Sequence, residues 1–371
     1  MIVHHRNHPR RSVWTILLLA LAAMLIGPTA AYGQGCIIAH SVGAEGGPQS
    51  QGGYLQAGHW QFTLDYRHQY SFRHFVGSTE QVYRQQEGSE VRNRINLFDA
   101  SLTYQATSRW SLTFTLPMEF ASRKYTIPRN GTDILGDYHV SGLGDVSLIA
   151  QRWMWDPEGN PSHNIQLGLG LQMPTGSDNI QNHLVITPGQ PAIDSTADYS
   201  IQPGTGGWGI PITWTSFQDL GSRAQLYFNG SYLITPQETN GVLNASLPGF
   251  PAKPPQEQYI SVSDEYLMEA GVAFPIQSVK GLTLTFGPRD EGVPAHDLIG
   301  GSEGWRRPGY AISIEPGFQY VFHNGSDLIT GTVGRAFYRN RTRSVPDTQL
   351  GTHGDAAFAD YVWLASFSHR F

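Results

Sequence analysis

Charged side chains in this sequence recur in one setting, the polar positions of segments whose alternate positions are apolar. Asp65, Arg67, Asp99, Glu119, Asp145, Glu265, Glu269 and Glu315 all sit there, and Arg335 joins them although the phase of its segment can be read either way. A spacing of two places side chains on one face of a strand. Carboxylates and guanidiniums lined up on such a face can shape the field along a pore. They can equally pair with one another and hold a lumen rigid, and the two roles are compatible.

The residues that would make or break bonds are missing their partners. The eleven histidines beyond residue 33 form neither H-E-x-x-H nor any other tight array, so no metal site is expected. Gly204-Thr205-Gly206-Gly207-Trp208-Gly209 fits G-x-G-x-x-G but does not follow a strand and open a helix, so no dinucleotide or other cofactor is expected. An esterase of the outer membrane would need a nucleophilic serine beside a histidine. His323-Asn324-Gly325-Ser326 comes nearest and falls in a turn, so no enzyme is expected. Cys36 is the single cysteine, which excludes an internal disulfide and thiolate zinc sites. The residues before it, Gly33-Gln34-Gly35, fit a lipid-anchor signal poorly.

The elements that must position these charges are strands of unusual length. Trp60, Phe62, Leu64, Tyr66, Tyr70 and Phe72 alternate with Gln61, Thr63, Asp65, Arg67 and Gln69. Strands of soluble proteins run about 5–6 residues, whereas a tilted membrane strand needs about 9–11. The alternation recurs over 110–120, 164–173 and 310–322, and in weaker form near 93–105, 142–154, 208–219, 223–234, 259–274, 279–287 and 327–339. The last segment, 360–371, ends at Phe371. Twelve strands result. Gaps after odd-numbered strands are long (73–92, 121–141, 174–207, 235–258, 288–309, 340–359), and gaps after even-numbered strands are short turns such as Asp156-Pro157-Glu158-Gly159-Asn160.

Strand length and loop alternation have one physical origin. In hydrocarbon each unsatisfied backbone group costs several kcal/mol, so a sheet must close on itself. Closure gives one face to lipid and one to the lumen, and hydrophobicity must then alternate. The expected fold is an all-β, antiparallel up-and-down transmembrane barrel with long extracellular loops and short periplasmic turns. Tryptophans 60, 110, 153, 155, 208, 214 and 363 suit the interfacial girdles. Pro316 lies inside a strand, where a bulge or kink is expected.

Residues 1–33 read as a signal peptide: Arg10 and Arg11, then an apolar run from Val13 to Ile26, then Ala31-Tyr32-Gly33 before the cleavage point. Residues 34–57 read as an N-terminal lead or a short lumen plug, and 58–371 as the barrel. Residues 1–33 hold three arginines and no acid, so 21 basic residues face 30 acidic ones beyond them, a formal charge of −9. That balance disfavours nucleic acid as a partner. The expected setting is the outer membrane of a Gram-negative bacterium. The expected partners are its lipid and lipopolysaccharide, and a small-molecule solute whose identity the sequence does not give.

Three segments carry a family resemblance: Gly142-Leu143-Gly144-Asp145-Val146, Leu169-Gly170-Leu171-Gln172-Met173-Pro174-Thr175-Gly176 and Gln202-Pro203-Gly204-Thr205-Gly206. With the last strand they resemble the outer-membrane transporters associated with the phenol meta-degradation pathway. The resemblance implies a channel for passive movement of small hydrophobic or aromatic molecules. It supplies no catalytic or ligand residues. It also implies that the barrel-insertion machinery reads the strand ending at Phe371. The long third loop, Thr175–Gly207, is expected to fold inward as a constriction. The other reading is a barrel that transports nothing and serves as a scaffold or displays its loops to partners.

Overall fold

The computed structural model describes residues 52–129, 132–247 and 250–371. The proposed signal peptide and residues 34–51, with Cys36, lie outside the described residues. We number the barrel strands alone: β1 (Trp60–Val76), β2 (Arg92–Gln105), β3 (Trp110–Ile127), β4 in two stretches (Ile134–Leu143 and Ser147–Trp153), β5 (His163–Gln172), β6 (Ile210–Asp219), β7 (Gln225–Ile234), β8 (Glu265–Pro275), β9 (Leu282–Val293), β10 (Gly309–Phe322), β11 (Asp327–Asn340) and β12 (Ala356–Arg370). Each pairs antiparallel with its neighbours in sequence, and β12 pairs back onto β1, closing a 12-strand barrel. Two backbone bonds between Trp60 and Phe371, 2.9 and 3.0 Å, finish the seam.

The alternation sorts the two faces as expected. Leu169, Phe286, Phe120, Leu167 and Trp363 point out and are among the most exposed apolar side chains of the strands. Trp153 departs from the girdle expectation. It is buried, and its ring lies edge-on to Tyr54 with centroids 5.0 Å apart. Tyr54 also contacts Phe217 and accepts a 3.2 Å hydrogen bond from Asn164. Nearby Gly52 lies so close to the β10–β11 turn that a Cβ on it would sit 3.1 Å from the Gly325 carbonyl oxygen. Residues 52–57 therefore run along the short-turn end of the barrel, with Tyr54 inserted among inward-facing rings.

Several details differ from the sequence expectation. The second long gap, 121–141, is mostly strand, because β3 runs to Ile127 and β4 starts at Ile134. β8 begins at Glu265, since Tyr259–Ser261 pairs with Thr239–Leu243 in a small separate sheet. β9 continues through Pro288 to Val293. Finally, Pro316 stays in register with Phe286 of β9, while on the β11 side the ladder passes from Ile314↔Arg335 to Gly317↔Thr332 and lapses between them. A proline has no N–H to give, so a lapse suffices there. The bulge between β10 and β11 comes earlier, between Ile312 and Ser313.

β4 is broken by a proline on its neighbour. The Pro117 carbonyl of β3 accepts from the Gly144 amide at 2.9 Å, so the Pro117 nitrogen also faces β4 and has no proton to offer. The register of β3 with β4 slips by one residue across this point, from Thr115↔Ser147 to Met118↔Leu143. Beyond it, Ile134–Leu143 pairs only with β3. Its other edge is met by the third loop: Asn182 caps the His139 backbone through bonds of 2.6 and 3.0 Å, and the Leu135 amide donates to Ile186. An edge that would invite foreign strands is thus covered by the chain's own loop.

Candidate functional site: the charged lumen and the third-loop clasp

Eight of the nine candidate residues face the interior. Arg67, Asp99, Glu119, Asp145, Glu265, Glu269 and Glu315 are buried, and Asp65 is half-buried on the same face of β1. Arg335 is the correction. It is exposed on the outer face, since Thr332 and Gly334 take the inward positions of β11. Its segment could be phased either way because the bulge beside it shifts the alternation by one residue.

The sequence reading missed the residues that join the lumen charges together. Arg289 and Glu291 of β9 lie beyond Pro288, inside the expected loop 288–309. They continue the inward run of Thr283, Thr285 and Gly287, and that spacing was the available signal. Arg67 grips Glu291 with two hydrogen bonds of 2.9 and 2.6 Å, and also donates to Gln69. Arg289 donates from Nε to Glu291 at 3.0 Å, pairs with Glu269, and lies 3.7 Å from Glu315. Thr332 donates to Glu315. Both guanidiniums are fully buried. Such forked pairs are the strong form of ion pair, and they tie β1, β8, β9, β10 and β11 across the barrel.

Asp145 does a different job. It lies in the break of β4, and its carboxylate accepts from the Gly176 amide at 2.9 Å, from the Thr205 amide at 2.8 Å and from the Thr205 hydroxyl at 2.8 Å. Thr175 adds a bridge, accepting from the Val146 amide and donating to the Gly144 carbonyl, each at 3.0 Å. The two arms of the third loop touch at Gly176 and Gly204, where a Cβ on Gly204 would come within 2.4 Å of the Gly176 carbonyl group. The three segments that carry the family resemblance therefore meet at one point. They form the clasp that gathers the base of the third loop against the break in β4.

Above the clasp the loop does fold inward. Ala197 and Ile201 are buried against Ile95, Leu97, Ala121, Tyr138 and Val140 of β2, β3 and β4. Beside this seat, on the returning arm, Asp198 pairs with Arg307 and lies 3.3 Å from Arg123, while Arg307 stacks on Tyr199 and Trp305 with its guanidinium 4.8 Å from each ring centre. Burial opposes the charge on Asp198, but Arg123 and Arg307 outweigh it and hold the carboxyl well below its ordinary range. A depressed carboxyl contributes its stability above the unfolded value, near pH 4, and loses it only as pH falls through the folded value. Protection of residues 177–202 from protease should therefore be the same at pH 5 and pH 7. Asp198→Asn should weaken it at both. A sharp loss of wild-type protection between pH 7 and 5 would show that another group holds the returning arm.

The turn at His323–Ser326 contains no serine–histidine couple. Ser326 donates its hydroxyl to the His323 carbonyl, and the His323 ring pairs with Asp327. Among the described residues, no group of three His, Cys, Asp or Glu side chains is placed to hold a metal ion.

The fold and this interior define a closed outer-membrane-type β-barrel with a charged belt and an infolded third loop. No family model matches the chain, and no curated protein matches it by sequence. Solved structures do. An outer-membrane channel from Pseudomonas putida F1 superposes with a TM-score of 0.55 at 14% identity, over 86% of this chain and 97% of the other. The β domain of the Bordetella autotransporter BrkA has a TM-score of 0.43 at 11% identity, over 85% and 100%. The P. putida toluene transporter TodX has a TM-score of 0.43 at 10% identity, over 92% and 99%. The first of these establishes the fold that the two chains share.

Proposed function

We propose that the chain is an outer-membrane channel that lets small molecules, hydrophobic or aromatic ones among them, cross passively. The observation that carries this reading is the third loop. It packs inward against β2, β3 and β4 yet is gathered at its base by one carboxylate beside a break in the wall, an arrangement suited to opening and closing. The likeness in fold to an outer-membrane channel supports it. The finer placement, among transporters associated with the phenol meta-degradation pathway, is supported by the convergence of the three resembling segments on that clasp. Catalysis has no place in this reading.

The packed belt around Arg67 and Arg289 favours a second reading, a barrel that transports nothing and serves as a scaffold. Liposome swelling and planar-bilayer conductance separate the two. Solute-dependent flux is expected from the wild-type protein or, where the clasp holds the loop shut, from Asp145→Ala. No flux from either protein would leave the scaffold.

We further propose that outer-membrane lipid and lipopolysaccharide contact the apolar outer face. The barrel-insertion machinery would read β12 through Phe371. Deleting Phe371 removes both backbone bonds to Trp60 at the seam. The folded, heat-modifiable fraction in the outer membrane should fall at least several-fold, while barrels that do assemble conduct as before. Normal assembly of that variant would refute the role of Phe371.

A further inference from the structure

The belt leaves part of its charge unanswered. Arg67 and Arg289 bind Glu291, Glu269 and Glu315, all on the β8–β10 side or reached from it. Across the lumen, Glu119 of β3 is 1% exposed and its Oε1 has no hydrogen-bond partner. The charges that bear on it are themselves negative, Asp99 and Glu265. Asp99, also buried, has an unpartnered Oδ1. An isolated buried carboxylate is costly to keep ionised without a partner.

Glu119 looks into a cavity of about 40 Å³ beneath the third loop. Glu265 and Asp178 reach the same space from other walls, and Gln202, Asn240 and Ser263 add neutral oxygens. No lysine, arginine or histidine lines it. The volume holds about three water molecules, or an occupant of about three non-hydrogen atoms. The acids are not drawn tightly together, and no cluster among the described residues suits a metal ion. Carboxylates spread over several walls suit a cation that presents several N–H donors in different directions, which an ammonium group does.

We propose that this cavity binds the primary ammonium group of a small organic cation, with Glu119 as its principal acceptor and Asp178 as a second. The apolar remainder of such a molecule would lie against Ile260 and Val262, which line the cavity from the connection between β7 and β8. This site does not depend on transport, because binding can be measured on a barrel that conducts nothing.

The test is calorimetric titration of the full chain, folded in detergent micelles, with ethylammonium chloride at fixed ionic strength and pH 7. Ethanol and calcium chloride serve as comparison ligands. Saturable binding of ethylammonium is expected, with no saturable heat from ethanol. Glu119→Gln and Asp178→Asn should each weaken binding at least tenfold, whereas Glu303→Gln, in an exposed loop, should not. Heat-modifiable migration checks that each variant is folded, and two separate lumen variants guard against the loss of one. The proposal is overturned by absence of saturable ethylammonium binding, by equal binding of ethanol, by calcium binding that excludes ethylammonium, or by unchanged affinity in a folded Glu119→Gln. Flux assays on the same preparations report on the channel reading independently.

Discussion

Arg289→Leu should destabilise the barrel by about 3–5 kcal/mol, the cost of removing one partner from a buried ion pair. The guanidinium touches Glu291 and Glu269 and lies near Glu315, and all four side chains are buried. Leucine fills some of the volume but leaves Glu291 with Arg67 alone and Glu269 and Glu315 with no guanidinium. Reversible urea unfolding, followed by tryptophan fluorescence in a lipid or micelle system, reads the loss directly. Arg289→Lys keeps a charge but not the fork, and should lie between wild type and leucine. Adding Glu269→Leu to Arg289→Leu should recover part of the loss, since it removes a stranded charge. A single-variant loss below about 1 kcal/mol would mean that the belt is wet enough to screen its charges, as at a surface. That outcome would also remove the packed belt as an argument for a scaffold.

The second large effect belongs to Asp145, and it concerns the loop rather than the barrel. Asp145→Ala deletes three hydrogen bonds to an ionised acceptor, each contributing about 1.5–3 kcal/mol. The two arms then keep the bonds around Thr175, the hydrogen bond from the Gly204 amide to the Ser177 carbonyl and the two bonds between Gln202 and Ile180. Cleavage of residues 177–202 by an added protease should accelerate at least 100-fold, and solute flux should rise at least tenfold. The heat-modifiable barrel should persist, since the seam and belt are untouched. Asp145→Asn keeps one acceptor oxygen, loses the charge and replaces the second oxygen with a donor, and should give an intermediate result. Unchanged protease resistance would show that the apolar seat of Ala197 and Ile201 holds the loop without the clasp.

The two residues differ in how far they could be read without coordinates. Asp145 stands out in sequence as an acid in a Gly-rich opening to β4, and its inward position was legible. Its three donors were not, because Gly176 and Thr205 lie 31 and 60 residues away and only the folded loop brings them together. Arg289 was hidden for a local reason. Pro288 looks like loop punctuation, yet it remains in register opposite Ile314 while the ladder to β8 lapses. Arg335 failed in the opposite direction, through a one-residue bulge that no alternation of residue types records.

Alternation of apolar and polar residues, strand length and the rhythm of long and short gaps were enough to determine a twelve-strand barrel, because a membrane admits a sheet only if it closes and only if its faces differ. Those are period-two, nearest-neighbour constraints, and they are written along the chain. Which charges pair across the lumen, where Pro117 breaks β4 and how the third loop is clasped are decided by contacts between residues tens to hundreds of positions apart. Their energies depend on burial and on angles that exist only once the barrel has closed, so the tertiary structure alone decides them.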